Sequence, residues 1–123
     1  MSDARENVLL VKSHKFAVEI IRLYKLISKN KTDQVLPKQI LRSGTSVGAL
    51  VREAQNAESR ADFVHKLGIA QKECDETIYW LELLNESNDL TDEQCIPLKK
   101  EAESLLKILK SSILTAKKNI HHS

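Results

Sequence analysis

Residues 39–84, QILRSGTSVGALVREAQNAESRADFVHKLGIAQKECDETIYWLELL, decide the fold. Apolar residues recur at helical spacing in both halves: Ile40, Val47, Val51 and Ala54, then Phe63, Leu67, Ala70, Cys74, Ile78, Leu81 and Leu84. Between them Ser59, followed by Asp62, reads as an N-cap with an acidic first turn. The spacing therefore predicts two long amphipathic helices with a short link.

Working outward, Leu9, Phe16, Ile20, Leu23, Tyr24 and Ile27 place a first helix over residues 3–30. Residues 30–36 form a polar connection, and Pro37 suits the first turn of the second helix, where its missing N–H costs nothing. The third helix ends in the polar stretch 85–89. Thr91 with Gln94 reads as a capping box for a fourth, whose apolar face is Leu98, Ala102, Leu105, Leu109, Ile113, Ala116 and Ile120. Pro97 either kinks this helix or marks its start. Short links between long helices make neighbours antiparallel, so the expected fold is all-α, an up-down antiparallel four-helix bundle forming one domain over 1–123.

Composition agrees. The chain has 3 Gly, 2 Pro and 4% aromatic residues in 123, too few turn formers for an all-β protein. No apolar run approaches the roughly 18 residues a membrane span needs, and the N-terminus lacks a secretory pattern. Two cysteines without a framework suit a reducing, cytoplasmic setting. His121 and His122 are too few for a metal tract.

The second helix is unusual. Gly44 and Gly48 lie one turn apart, each costing about 1 kcal/mol against alanine in a helix interior. Close helix–helix approach inside the subunit is the stronger reading, and an opening for a partner or ligand is the alternative. With no preceding strand and no Gly-Lys-Ser/Thr, they are not a phosphate loop.

On the flank of that helix Gln39, Arg42, Ser46, Ala49 and Glu53 form a polar stripe. The third helix carries a second stripe of Asp62, Lys66, Ile69, Glu73, Glu76, Trp80 and Leu83. Apolar and aromatic residues in register with charges beside a core stripe have the character of a subunit interface. The alternative is one wide buried face within a monomer.

The run Gln39, Arg42, Ser43, Gly44, Thr45, Ser46, Gly48, Ala49, Glu53, Ala54, followed by Asp62, Phe63, Lys66, Leu67, Ala70, Lys72, Glu73, Glu76, Thr77, Tyr79, Trp80 and Leu81, resembles the bacterial four-helix-bundle family named after 23S rRNA intervening sequences. Members of that family resemble the accessory protein of diversity-generating retroelements, a ring-shaped pentamer that binds nucleic acid and a reverse transcriptase. The resemblance implies a homo-oligomer, a pentamer, with no established enzymatic activity. Leu50 departs from it, standing where an Asn is expected.

Charge is uneven along the chain. Residues 1–31 hold seven cations against three acids, a net of +4, and residues 96–123 six against two, also +4. Residues 58–95 hold three against ten, a net of −7. Lys15, Arg22, Lys25 and Lys29 share the outer face of the first helix, as do Lys100, Lys107, Lys110 and Lys118 on the fourth. A merged basic surface on these two neighbours is the footprint of phosphate-backbone binding to RNA or DNA. Without interleaved aromatics, it is not a surface for base stacking. A protein-interaction scaffold displaying acidic and basic faces to a protein partner is the alternative.

Catalytic and metal sites are not expected. A di-iron bundle needs two Glu-x-x-His pairs, and the nearest approach is Asp62 with His65, the latter off the core stripe. Glu53, Glu73 and Glu76 have Arg42 and Lys66 to neutralise them, so ion pairs are expected there. No cofactor is expected.

Overall fold

The computed structural model describes residues 4–29 and 33–122, without the side chains of residues 5, 6 and 120–122. The first helix is α1 (Ala4–Ile27), followed by α2 (Val35–Gln55), α3 (Arg60–Glu86) and α4 (Asp92–His122). Asp3, Asn30 and the side chains of Ile120, His121 and His122 lie outside the described residues. There are no strands among the described residues. Each helix packs on its neighbours in sequence, and α4 closes back on α1, without diagonal approach among the described residues. This is the up-down four-helix bundle.

The local signals act as their chemistry requires. The Ser59 hydroxyl accepts from the Asp62 N–H at 3.0 Å, capping α3. Both halves of the α4 box form: Gln94 N–H donates to Thr91 Oγ1 at 3.2 Å, and Thr91 N–H to Gln94 Oε1 at 3.0 Å. Between them α3 ends with Asn88 at φ 65°, a left-handed position that Asn tolerates. Asn85 fixes the turn by donating to the Leu90 carbonyl at 3.1 Å and to Asp92 Oδ1 at 2.9 Å. The helix starts at Asp92 and continues through Pro97. Pro97 and Glu93 are exposed, so water can satisfy the Glu93 carbonyl that loses its N–H partner.

The core holds every apolar residue named above for α2 and, apart from Ile78, for α3; Ile78 is half-buried against its edge. Tyr24 is half-buried as well, while its neighbours Leu23 and Ile27 enter the core. Leu50 also packs against the core, so apolar contact stands where a polar side chain was expected.

The two glycines of α2 have a reason within the subunit. A Cβ at Gly44 would lie 2.8 Å from side-chain atoms of Ile20, and one at Gly48 would lie 3.1 Å from the Ser13 carbonyl oxygen. Both serve close approach of α1 to α2, the first at a side chain and the second at backbone.

One buried polar contact ties α2 to α3. Thr77 Oγ1 lies 2.7 Å from the Glu73 carbonyl and 2.9 Å from Ser43 Oγ. A hydroxyl has one proton, so Thr77 donates to the carbonyl and accepts from Ser43. Thr77→Val is expected to cost about 1–3 kcal/mol in urea unfolding, because it strands the buried Ser43 hydroxyl. Ser43→Ala with Thr77→Val should recover part of that loss; no recovery would show that the pair is not coupled.

Candidate functional site

The two helices of the deciding stretch meet along a seam that gathers most of the flanking charges. From α2, Arg42 reaches across to α3, with Nη1 2.9 Å from Glu73 Oε2 and Nη2 2.5 Å from Glu76 Oε1. Its Nε donates to Gln39 Oε1 at 3.3 Å. The Trp80 indole N–H donates to the same Glu76 oxygen at 3.1 Å. These contacts, led by the hydrogen bond to Glu76, hold the Arg42 guanidinium above its ordinary pKa. Lys66 pairs with Glu53 at 3.6 Å lower in the seam, while Asp62 accepts from the Glu58 N–H at 3.2 Å. Ser46 turns back to the Arg42 carbonyl at 2.6 Å.

Thus Gln39, Arg42, Glu53, Lys66, Glu73 and Glu76 satisfy one another inside one chain, while Ser46 and Asp62 turn to nearby backbone. The apolar members behave differently. Trp80 is half-buried against the core, whereas Ile69 and Leu83 are half-buried without joining it. Tyr79 stacks tilted on Trp80 at 5.3 Å between centroids and is 53% exposed. The helix pair therefore ends outward in an aromatic and aliphatic edge above a closed ion network.

All eight cations singled out on α1 and α4 are exposed. Lys12 lies 3.9 Å from Glu101, which sets the antiparallel register of the two helices. Counting from that level at 1.5 Å per residue, Lys29 and Lys118 lie about 50 Å apart along the bundle. Only Lys15 and Lys100 share a level. Arg22, Lys25 and Lys29 sit at and past the start of α4, and Lys107, Lys110 and Lys118 toward and past the start of α1. Within α4, Lys100, Lys107 and Lys118 are separated by 7 and 11 residues, close to whole turns, and form one line. The α1–α4 groove also carries Glu19, Glu93 and Glu101. Sequence periodicity alone did not show this interleaving of acids, because it depends on helix register.

No three His, Cys, Asp or Glu side chains form a metal-holding group among the described residues. His14 and His65 are exposed. Both cysteines are free and buried, and burial pushes the Cys74 thiol up to about 12 and the Cys95 thiol upward. Native protein at neutral pH should therefore react with a thiol reagent only slowly, and rapidly once unfolded. In the unfolded chain these thiols ionise near 9, so the Cys74 contribution to stability is full below pH 9 and is lost as pH rises toward 12, and that of Cys95 is likewise lost above pH 9. Fast labelling of folded protein at pH 7 would contradict the burial.

A bundle of this kind, with the ion pairs of its α2–α3 seam closed within the chain and its outer faces patterned by charge, is a small all-α protein of the four-helix-bundle class. The chain belongs to the 23S rRNA-intervening sequence protein family, whose sequence profile matches residues 5–111. It is similar to a solved structure from Bacteroides thetaiotaomicron, a protein with unknown function from the S23 ribosomal protein family. The two share 49% identity and a TM-score of 0.85 over 89% of this chain and 97% of that one. No match is found among curated proteins. No helix among the described residues is long and apolar enough to cross a membrane.

Proposed function

We propose that this protein is a non-enzymatic, self-assembling bundle that holds RNA or DNA by its phosphates, as a cytoplasmic accessory protein. The observation that carries the reading is where charge is left over. Arg42 and Lys66 take up the carboxylates of the α2–α3 seam, and Lys99 takes Glu82 at 2.9 Å. Lys25, Lys29, Lys100, Lys107, Lys110 and Lys118 are exposed with no ion pair among the described residues. Residual positive charge on α1 and α4 supports backbone contact, and the lack of aromatics beside it supports sequence independence.

Self-association supplies what one mildly basic domain lacks. The edge of Ile69, Tyr79, Trp80 and Leu83 is the subunit contact, and five copies is the number the family resemblance implies. Weak phosphate contacts repeated around such an assembly add through effective concentration. The experiment is light scattering on the purified protein, then retention of generic RNA and duplex DNA at low salt. An oligomer that retains both is the expected result. An oligomer that retains neither leaves the second reading, a protein-interaction scaffold, which the exposed Ile96 and Leu114 among the charges of α4 favour. A monomer at micromolar concentration removes the assembly.

A further inference from the structure

The groove between α1 and α2 differs from the closed seam between α2 and α3. It encloses about 920 Å³, and Leu10, Ala17, Val18, Gly48 and Ala49 line it. Gly48 keeps it shallow by necessity, since the Ser13 carbonyl sits against it. Lys15 and Arg22 from α1 and Arg52 from α2 bring positive charge to the same groove. Among the described residues its one acid, Glu19, is held by Arg22 at 2.9 Å. An apolar groove with cationic edges fits an amphipathic helix with acidic residues beside its apolar ones.

The chain presents such a helix on its own surface. Along α3, Gly68, Asp75, Tyr79, Leu83 and Glu86 recur at spacings of 7, 4, 4 and 3, a single outward stripe. Its minority charge, Lys72, is opposite in sign to Glu19, the minority charge of the groove. Gly68 adds an independent observation. It sits inside a helix, where glycine costs about 1 kcal/mol against alanine. Yet a Cβ there would meet nothing within 4 Å. Gly44 and Gly48 are explained by α1, whereas Gly68 has no such explanation within the chain. A second backbone passing close to α3 would explain it.

We infer that the outward stripe of α3 in one copy docks into the α1–α2 groove of the next, a head-to-tail contact between copies of this chain. The inference rests on the self-association reading and specifies its geometry: Tyr79 and Leu83 of the proposed edge enter the contact, while Ile69 and Trp80, about a quarter turn round α3, flank it. Two different surfaces meet, so the contact is heterologous: it closes into a ring where the rotation allows and otherwise extends as a filament. Lys15 and Arg22 then belong to the subunit contact, and the α4 lysines remain for nucleic acid.

Head-to-tail contacts can be tested by complementation. Ala49→Glu with Arg52→Glu spoils the groove, and Tyr79→Lys with Leu83→Lys spoils the stripe. Each variant alone should be monomeric by light scattering. An equimolar mixture should give a dimer and nothing larger, because each pair retains one intact groove and one intact stripe. Gly68→Gln, whose side chain enters open space in the monomer, should keep full helicity and lose assembly; it decides the matter if a double variant does not fold. If the wild-type protein is itself monomeric, the self-association reading fails and this contact with it. If the wild type assembles and the variants keep its mass, or the two monomeric variants do not complement, self-association stands and the head-to-tail contact is overturned.

Discussion

Leu67→Ala, Leu81→Ala and Leu109→Ala are each expected to lower unfolding free energy by about 2–5 kcal/mol. All three side chains are at 0% exposure in the core, two from α3 and one from α4. Alanine removes the buried methyls and leaves a cavity that the surrounding packed side chains fill only in part. A domain of this size has a total stability of about 5–15 kcal/mol, so one such change removes a large share of it. Phe63 should also be sensitive, with its ring in the core and Arg60 5.3 Å from its centroid. Leu114→Ala, at 60% exposure, is the control and should stay within about 0.5 kcal/mol. Urea melts at one fixed protein concentration give the comparison, since assembly would make stability concentration-dependent. Losses below about 1 kcal/mol at all three leucines would show that the core is wrongly placed.

The fold was legible because its signals are local. Ser59, Thr91 and Gln94 act within one helical turn, and the apolar spacing of α3 depends on helix period alone. Pro97 was not decidable, because a proline near a helix start is equally compatible with a kink and a beginning. The structure decides it through the Thr91 box, which fixes the start one residue later at Asp92.

The ion pairs of the α2–α3 seam were legible in their members but not in their arrangement. Arg42 stands out on the polar stripe of α2, and Glu73, Glu76 and Trp80 on the mixed stripe of α3, yet the sharing of one Glu76 oxygen by arginine and indole depends on how α2 and α3 are rotated. The buried pairing of Ser43 with Thr77 was hidden for the same reason: small hydroxyl residues at core positions look like tolerated substitutions until their helices meet. Gly68 was hidden by the opposite cause. Gly44 and Gly48 draw notice as a pair within a small-residue run, whereas a single glycine carries no pattern, and its significance appears only when the space around it is known to be open.

Reversing charge along α4 is the change expected to act most strongly on nucleic-acid retention. Lys100, Lys107, Lys110 and Lys118 are exposed and distant from the α2–α3 seam, so replacing all four by Glu should leave helix content and oligomer mass unchanged. Over 18 residues they extend about 27 Å, a length along which duplex DNA presents a phosphate every ~1.7 Å, so several can be neutralised at once. Each neutralised phosphate adds about −0.9 to the slope of log affinity against log salt on duplex DNA. Wild-type binding should therefore weaken steeply with salt. A single Lys107→Gln should flatten the slope by about 1, and the fourfold variant should abolish retention at low salt. Sequence should have little effect, because contacts to phosphates position a protein without reading bases. Lys38→Glu, at an exposed position of α2, controls for overall charge and should alter retention only slightly. Equal loss in that control would assign the effect to net charge instead of the α4 line. A fourfold variant that binds as tightly as wild type would remove α4 from the phosphate-binding surface.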